Sequence, residues 1–278
     1  MTPLLEVEDL RVTFRTPTGP FQAVRGVSFS LWRERLGIVG ESGSGKSLTG
    51  RSILRLLPPS AKLEAKRLAF DGMDLLTASP RRLRAIRGAR ISLVLQDPKY
   101  SLNPVMTIGE QIAEAARIHG GVSAREARRK TLDMLEAVRI RDPERVARLY
   151  PHEVSGGMGQ RIMIAMMLVP EPDLLIADEP TSALDVTVQM QVLAILDDLV
   201  AKRGMGLIFI SHDLDLVASF CDRVLVMYAG RVVEERRARD LKAATHPYTQ
   251  GLLRSLPRIE DDRAEFPTLT RDPAWLEG

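Results

Sequence analysis

The chain has 278 residues, 45% of them hydrophobic and 27% charged, with a formal net charge of +3. That length buries a substantial core in one large domain or two smaller ones, and the composition is that of a soluble globular protein. A single cysteine, Cys221, excludes an internal disulfide and reads as a small buried hydrophobe, no apolar run approaches the ~18 residues of a membrane helix, and an N-terminus bearing Glu6, Glu8 and Asp9 has no secretory h-region.

Alternating apolar and polar residues over Leu4–Phe14 and Ala23–Trp32 predict two half-buried strands, separated by the turn chemistry of Thr16-Pro-Thr-Gly-Pro20. The apolar run Leu36-Gly-Ile-Val39 predicts a third strand, followed by a glycine-rich loop and a helix over Leu48–Leu57 that stops before Pro58-Pro59. A short strand near Leu68–Phe70 turns at Asp71-Gly72, and Ile91–Leu95 reads as another buried strand. Arginines gather at 81–90 and 125–130 without interleaved aromatics, so they read as solvated helix faces and nucleic acid is not an expected partner. From Thr107 to about Leu149 the sequence is helix-dominated, and Ser123 followed by Glu126 has the pattern of a capping box ahead of a helix over Ala124–Val138.

A helix over Arg161–Val169 and apolar strands at Leu174–Ala177, Leu207–Ile210 and Val224–Met227 follow. Between the first two strands, Val186–Lys202 has apolar residues at helical spacing and stops at Gly204. Met227–Val233 reads as strand, turn and strand, and the stretch from Glu260 reads as loosely ordered. Strands alternating with helices predict an α/β fold with a largely parallel sheet covered on both faces, and a helical insertion beside it.

The loop between the third strand and the first helix is Gly40-Glu-Ser-Gly-Ser-Gly-Lys-Ser47. A strand running into a helix is the context that the GxxxxGKS phosphate loop requires. Its glycines permit a tight path on which successive N–H groups converge on phosphate oxygens, and the positive end of the following helix adds to the anion site. Lys46 can then reach β- and γ-phosphates, and the Ser47 hydroxyl suits Mg²⁺. Downstream, Leu174-Leu-Ile-Ala-Asp178-Glu179 delivers two carboxylates at a strand end, Asp178 suited to the Mg²⁺ shell and Glu179 to activating a water. An apolar run ending in Asp-Glu says little alone; downstream of a phosphate loop it is a strong signal. In Ser155-Gly-Gly-Met-Gly-Gln160, Ser155 can cap a helix whose N-terminal amides the glycines leave open to an anion, which suggests a second nucleotide contact.

Together with Thr181-Ser-Ala-Leu-Asp185 and Ile210-Ser-His212-Asp213, these strings resemble, in content and order, the nucleotide-binding subunit of ATP-binding-cassette transporters over residues 4 to about 235. The resemblance implies a P-loop NTPase cassette with a mostly parallel sheet, an N-terminal antiparallel β subdomain, an α-helical subdomain inserted at about 97–155, and a C-terminal extension over 236–278. It implies ATP and Mg²⁺ as cofactors. Gly40, Glu41, Ser42, Gly43, Ser44, Gly45, Lys46, Ser47 and Leu48 would surround the phosphates, and Phe14, with Phe21 as competitor across an apparent insertion at Arg15–Pro20, would stack on adenine. By the same resemblance Gln96 senses Mg²⁺ and the transmembrane partner, and His212 contacts the γ-phosphate. Ser155, Gly156, Gly157 and Gln160 belong to the signature that closes on nucleotide bound by an opposite subunit, and Asp185 to the loop that links two sites across a dimer. Glu179, His212, Gln96 and Lys46 then form the catalytic set, and Ser47, Gln96 and Asp178 the Mg²⁺ set.

Gln96-Asp-Pro-Lys-Tyr-Ser-Leu-Asn-Pro104, Thr107-Ile-Gly109, Tyr150-Pro-His-Glu153 and Thr245-His-Pro-Tyr-Thr249 are similar to the oligopeptide, dipeptide and nickel importer ATPases. That narrower resemblance implies a peripheral subunit on the cytoplasmic face of the membrane. Its partners would be two transmembrane permease subunits, a second ATPase (a related chain or an identical copy) and, indirectly, an extracytoplasmic solute-binding protein. Gly159, Val154 and Arg33 depart from the arginine, leucine and glycine usual at those positions, and none of them removes a group assigned to phosphate or metal. The alternatives are a soluble cassette ATPase of DNA repair or translation, which usually fuses two cassettes or inserts a long coiled coil, and an exporter ATPase, against which the importer-type strings argue. Peptide versus nickel stays open.

Overall fold

Residues 2–96, 101–182, 184–255 and 275 are described by the computed structural model, and the chain divides into two units, 1–76 with 209–278 and 77–208. The first unit opens with β1 (Leu5–Thr16), β2 (Gly19–Leu31), β3 (Arg35–Val39), α1 (Lys46–Ile53), β4 (Ala61–Glu64), β5 (Arg67–Phe70) and β6 (Met73–Asp74). The second holds α2 (Pro80–Ile86), β7 (Ile91–Val94), α3 (Ile108–Gly120), α4 (Ala124–Ala137), α5 (Pro143–Val146), α6 (Gly156–Leu168), β8 (Leu174–Asp178) and α7 (Val186–Arg203). Strand β9 (Gly206–Ser211) returns the chain to the first unit, which ends with α8 (Leu214–Phe220), β10 (Arg223–Tyr228), β11 (Arg231–Arg237) and α9 (Pro247–Ser255).

In the first unit β1 is the centre of an antiparallel sheet, in the order β2-β1-β5-β6 with β4 also paired to β1. The β1–β2 ladder continues to Thr16↔Gly19, so Arg15, Thr16, Gly19 and Pro20 are paired strand residues and the turn is only Pro17-Thr18. Gly19 at φ 117° closes that turn, and the Thr16 hydroxyl donates to its carbonyl at 2.7 Å. The expected insertion is therefore a hairpin tip. Strands β3 and β10 pair in parallel from Leu36↔Arg223 to Val39↔Val226, and β11 adds an antiparallel edge to β10. Helix α1 starts earlier than the sequence suggests and stops well short of Leu57. Ser52 Oγ bonds back to Leu48 O at 2.6 Å, and Arg55 enters the left-handed region at φ 52°, which ends the helix. Cys221 is buried, and that burial pushes its thiol pKa up to about 12.

In the second unit β7 and β8 pair in parallel from Ile91↔Leu174 to Val94↔Ala177. Every position of β8 is buried, as a parallel strand covered on both faces requires. Helix α3 has a full capping box, Thr107 with Glu110, whereas the box expected at Ser123 is only half formed. Ser123 accepts the Glu126 N–H, but the Glu126 carboxylate is taken by Arg129 at 2.6 Å, one of the solvated arginine pairs that the charge pattern suggested. Helix α6 begins at Gly156 rather than Arg161, because Ser155 caps it and Gly159 N already bonds Ser155 O at 2.8 Å. The expectation of loose order from Glu260 concerns residues almost wholly outside those described, as does the 97–100 part of the importer-type string.

Candidate functional site

The loop after β3 is shaped by close approach. Gly40 sits at φ 152°, where any Cβ would collide with the Met227 carbonyl of β10, so only glycine lets the chain pass. Gly45, at φ 99°, is the N-cap of α1, and no side chain caps that helix. Lys46 is only 5% exposed, and its Nζ donates to Gly40 O at 2.8 Å and Glu41 O at 2.9 Å. The Ser44 hydroxyl, equally buried, has no hydrogen-bond partner among the described residues. An uncapped helix start, a buried ammonium folded onto loop carbonyls, and an unsatisfied hydroxyl together make an anion cradle. Ser42 and Gly43 are exposed, while Ser47 and Leu48 are half-buried in the first turn. One expectation needs correction: the Glu41 N–H donates to Tyr248 Oη at 3.0 Å, so it is not among the amides offered to an anion.

Elsewhere in the same unit, His212 lies exposed just past β9. Asp213 beside it caps α8 by accepting the Leu216 N–H at 2.9 Å. Phe14 and Phe21 are direct cross-strand partners in the β1–β2 hairpin, Phe14 half-buried and Phe21 56% exposed. The two candidates for an aromatic platform thus occupy one place, one on each strand.

The second unit carries the carboxylates and the other glycine-rich helix start. Asp178, 3% exposed, is the last residue of β8. Glu179 follows at φ 50°, a strained conformation for a non-glycine residue, braced by Ser182 N and Oγ on its carbonyl at 3.4 and 3.2 Å. Gln96 is exposed at the end of β7. At α6, Ser155 Oγ accepts the Met158 N–H at 3.4 Å. A Cβ on Gly156 would meet open space, whereas one on Gly157 would lie 2.7 Å from Val188 Cγ1. Gly157 therefore lets the start of α6 press against the first turn of α7, which Asp185 caps through the Val188 N–H at 3.0 Å. Gln160 is 1% exposed with its Nε2 unpartnered among the described residues, so it stands behind the helix end rather than on its open face. The contact between the two helix starts was not foreseen from the residues, and Tyr248, although it lies in the Thr245–Thr249 string, had been given no place at the phosphate loop.

A family model described as ABC transporter matches residues 24–182, more than half of the chain. The chain belongs to the ABC transporter family. The matched segment of this ABC cassette contains the phosphate loop, Gln96, the Ser155–Gln160 helix start and Asp178-Glu179; Asp185, His212 and Tyr248 lie beyond it. Among curated relatives, a probable peptide ABC transporter ATP-binding protein of Sinorhizobium fredii is 54% identical over 91% of this chain and 77% of its own length. The dipeptide transport ATP-binding protein DppD of Bacillus subtilis is 49% identical over 99% of this chain and 83% of its own. A solved structure, the post-hydrolysis dimer of the ATP-binding cassette MJ0796 bound to ADP and Pi, superposes with a TM-score of 0.75 at 26% identity, covering 84% of this chain and 99% of that one.

Proposed function

We propose that this cassette is the ATP-binding and ATP-hydrolysing subunit of an importer for peptides or related small solutes, acting on separate permease subunits. The observation that carries the reading is the cradle of Gly40–Ser47, with its buried ammonium and unsatisfied hydroxyl, in a chain about half identical over nearly its full length to the ATP-binding proteins of peptide transport. Mg·ATP, when bound, supplies the phosphoanhydride bond whose hydrolysis drives the cycle.

The chain's own groups do the rest. Lys46 exchanges the Gly40 and Glu41 carbonyls for β- and γ-phosphate oxygens, while the amides at the start of α1 and the Ser44 hydroxyl take further oxygens. By the family resemblance, Ser47, Gln96 and Asp178 would hold Mg²⁺. Glu179 accepts the proton of the attacking water, with Gln96 and His212 orienting that water and the γ-phosphate. Ser155, Gly156 and Gly157 present the open start of α6 to nucleotide held by a second, related ATPase, with Asp185 linking the two sites. The segment over about 97–155 is the helical subdomain through which motion passes to the permease. Among the described residues no helix is long and apolar enough to cross a membrane. The likeness to transport ATP-binding proteins supports reading the cassette as a peripheral subunit on the cytoplasmic face.

Reconstitution tests this. The chain, co-expressed with permease subunits of a peptide importer from the same organism, is expected to co-purify with them and to hydrolyse ATP faster when a peptide-loaded binding protein is added. Stimulation by nickel-loaded but not peptide-loaded binding protein would move the reading to metal uptake, and co-purification with nucleic acid instead of permease would overturn it.

A further inference from the structure

Tyr248 belongs to α9, far along the chain from the phosphate loop, yet its Oη accepts the Glu41 N–H at 3.0 Å. The side chain is 0% exposed, and a buried phenol is stable only where its oxygen finds a partner. Its ring is wedged against Tyr228 of β10, with centroids 4.5 Å apart, and edge-on to Trp275 at 6.0 Å. The approach to α9 is pinned as well. The Glu234 carboxylate of β11 accepts the Thr245 and His246 N–H groups at 2.8 and 3.2 Å, and the Arg236 guanidinium donates to it at 3.0 Å. The phenol oxygen is therefore presented from a fixed support.

What it holds is decisive. The Glu41 N–H and the Gly40 C=O are opposite edges of one planar peptide unit, and there is no cis bond among the described residues. Lys46 Nζ binds the carbonyl edge at 2.8 Å, and Tyr248 binds the amide edge. We propose that Tyr248 is a positioning residue of the nucleotide site: it clamps the first peptide plane of the phosphate loop, so that the plane keeps its orientation when Lys46 turns to phosphate. A second clamp, Gly230 N on Ser44 O at 3.0 Å, holds the middle of the loop from the β10–β11 turn. The inference rests on the reading of Gly40–Ser47 as an ATP site, and it adds that the C-terminal segment tunes that site.

The test compares the full chain with Tyr248→Phe, which keeps the ring among its aromatic neighbours and removes only the hydroxyl. In nucleotide-free protein, hydrogen exchange at the Glu41 amide is expected to quicken roughly tenfold, the consequence of losing one buried bond. Calorimetric titration with Mg·ATP should show affinity weakened about three- to tenfold, and in turnover KM for ATP should rise by a similar factor while kcat changes less than about twofold. A double-mutant cycle closes the argument: Glu41→Pro deletes the same N–H, so adding Tyr248→Phe to it should change ATP affinity less than about twofold. Unaltered exchange at Glu41 in Tyr248→Phe, or a full Tyr248→Phe effect in the proline background, would overturn the clamp. Absence of ATP binding by the unmutated chain would instead overturn the nucleotide reading, and the exchange measurement would still decide whether the clamp exists.

Discussion

The chain contains two glycine-rich helix starts, Gly40–Ser47 before α1 and Ser155–Gln160 at α6, and each leaves one buried polar atom unpartnered among the described residues, Ser44 Oγ in the first and Gln160 Nε2 in the second. They are built in different ways. The first has no side-chain cap, carries its own ammonium, and is held from outside by distant residues, Gly230 on Ser44 and Tyr248 on Glu41. The second caps itself through Ser155, whose bond to the Met158 N–H is long at 3.4 Å, and among Ser155–Gln160 there is no cationic side chain. A helix start with a cation can bind a polyanion alone; one offering amides and a hydroxyl only adds contacts to an anion that is already held. The difference in construction matches the roles proposed for them, a primary cradle and a closing surface.

The largest effects should come from groups that serve the primary cradle. Glu179→Gln keeps size and hydrogen bonding but cannot take a proton, so turnover should fall by roughly 10²–10⁴-fold with Mg·ATP affinity nearly unchanged. Near-normal single-turnover hydrolysis by that variant would remove Glu179 from the role of base. Lys46→Ala should instead act on binding, with ATP affinity lowered about 10- to 100-fold as charge-assisted bonds to phosphate are lost. Comparable weakening by a substitution at the α6 start, measured on the isolated chain, would break the distinction between cradle and closing surface.

Much of this was readable from the residues. Strands β8, β9 and β10 are almost wholly buried and appear in the sequence as unbroken apolar runs, because burial on both faces leaves no polar alternation. The phosphate loop was legible because glycine spacing and the adjacent Lys-Ser report a backbone path directly. The start of α6 was not: Gly156, Gly157 and Gly159 are poor helix formers, and local propensity argued for a start at Arg161 until the Ser155 cap and packing against α7 overrode it. Strand β4 alternates apolar and polar residues over only four positions, Ala61–Glu64, too few to stand out as a strand, and it owes its existence to pairing with β1. Tyr248 was illegible for a deeper reason. Its partner is a backbone amide in a segment 207 residues away, and no side-chain pattern encodes that.

A smaller effect separates two adjacent glycines at the second helix start. Gly157→Ala places a methyl 2.7 Å from Val188 Cγ1, a branched side chain with little rotamer freedom, and should destabilise the protein by about 1–3 kcal/mol in denaturant melts. Gly156→Ala meets nothing within 4 Å and should leave stability unchanged or raise it by up to ~1 kcal/mol. Because Gly156 lies on the open side, that same variant should impair ATP-dependent pairing of cassettes, read by light scattering of a Glu179→Gln background. Equal melting curves for the two alanine variants would show that the α6–α7 contact does not constrain Gly157.

The smallest effect concerns pH, and it should touch only the helix start that is held from outside. Burial by itself would raise the Glu234 carboxyl, but the Thr245 N–H, the Arg236 guanidinium and the His246 N–H outweigh it and hold the group below the ordinary 4.5. A carboxylate depressed in the folded state contributes stability that is fully present above its unfolded pKa and is lost as pH falls through the folded value. The support beneath Tyr248 should therefore be constant from neutrality down to about the ordinary carboxylate pKa and weaken in stronger acid. Exchange at the Glu41 amide, corrected for its intrinsic pH dependence, should quicken a few-fold there, while the Met158 amide at the Ser155 cap stays as protected as before. Glu234→Gln keeps an acceptor without the charge, so it should show the faster Glu41 exchange already at neutral pH and lose the acid dependence. Parallel changes at Glu41 and Met158 would mean that acid loosens the whole fold, and the contrast between an externally clamped and a self-capped helix start would then carry no functional weight.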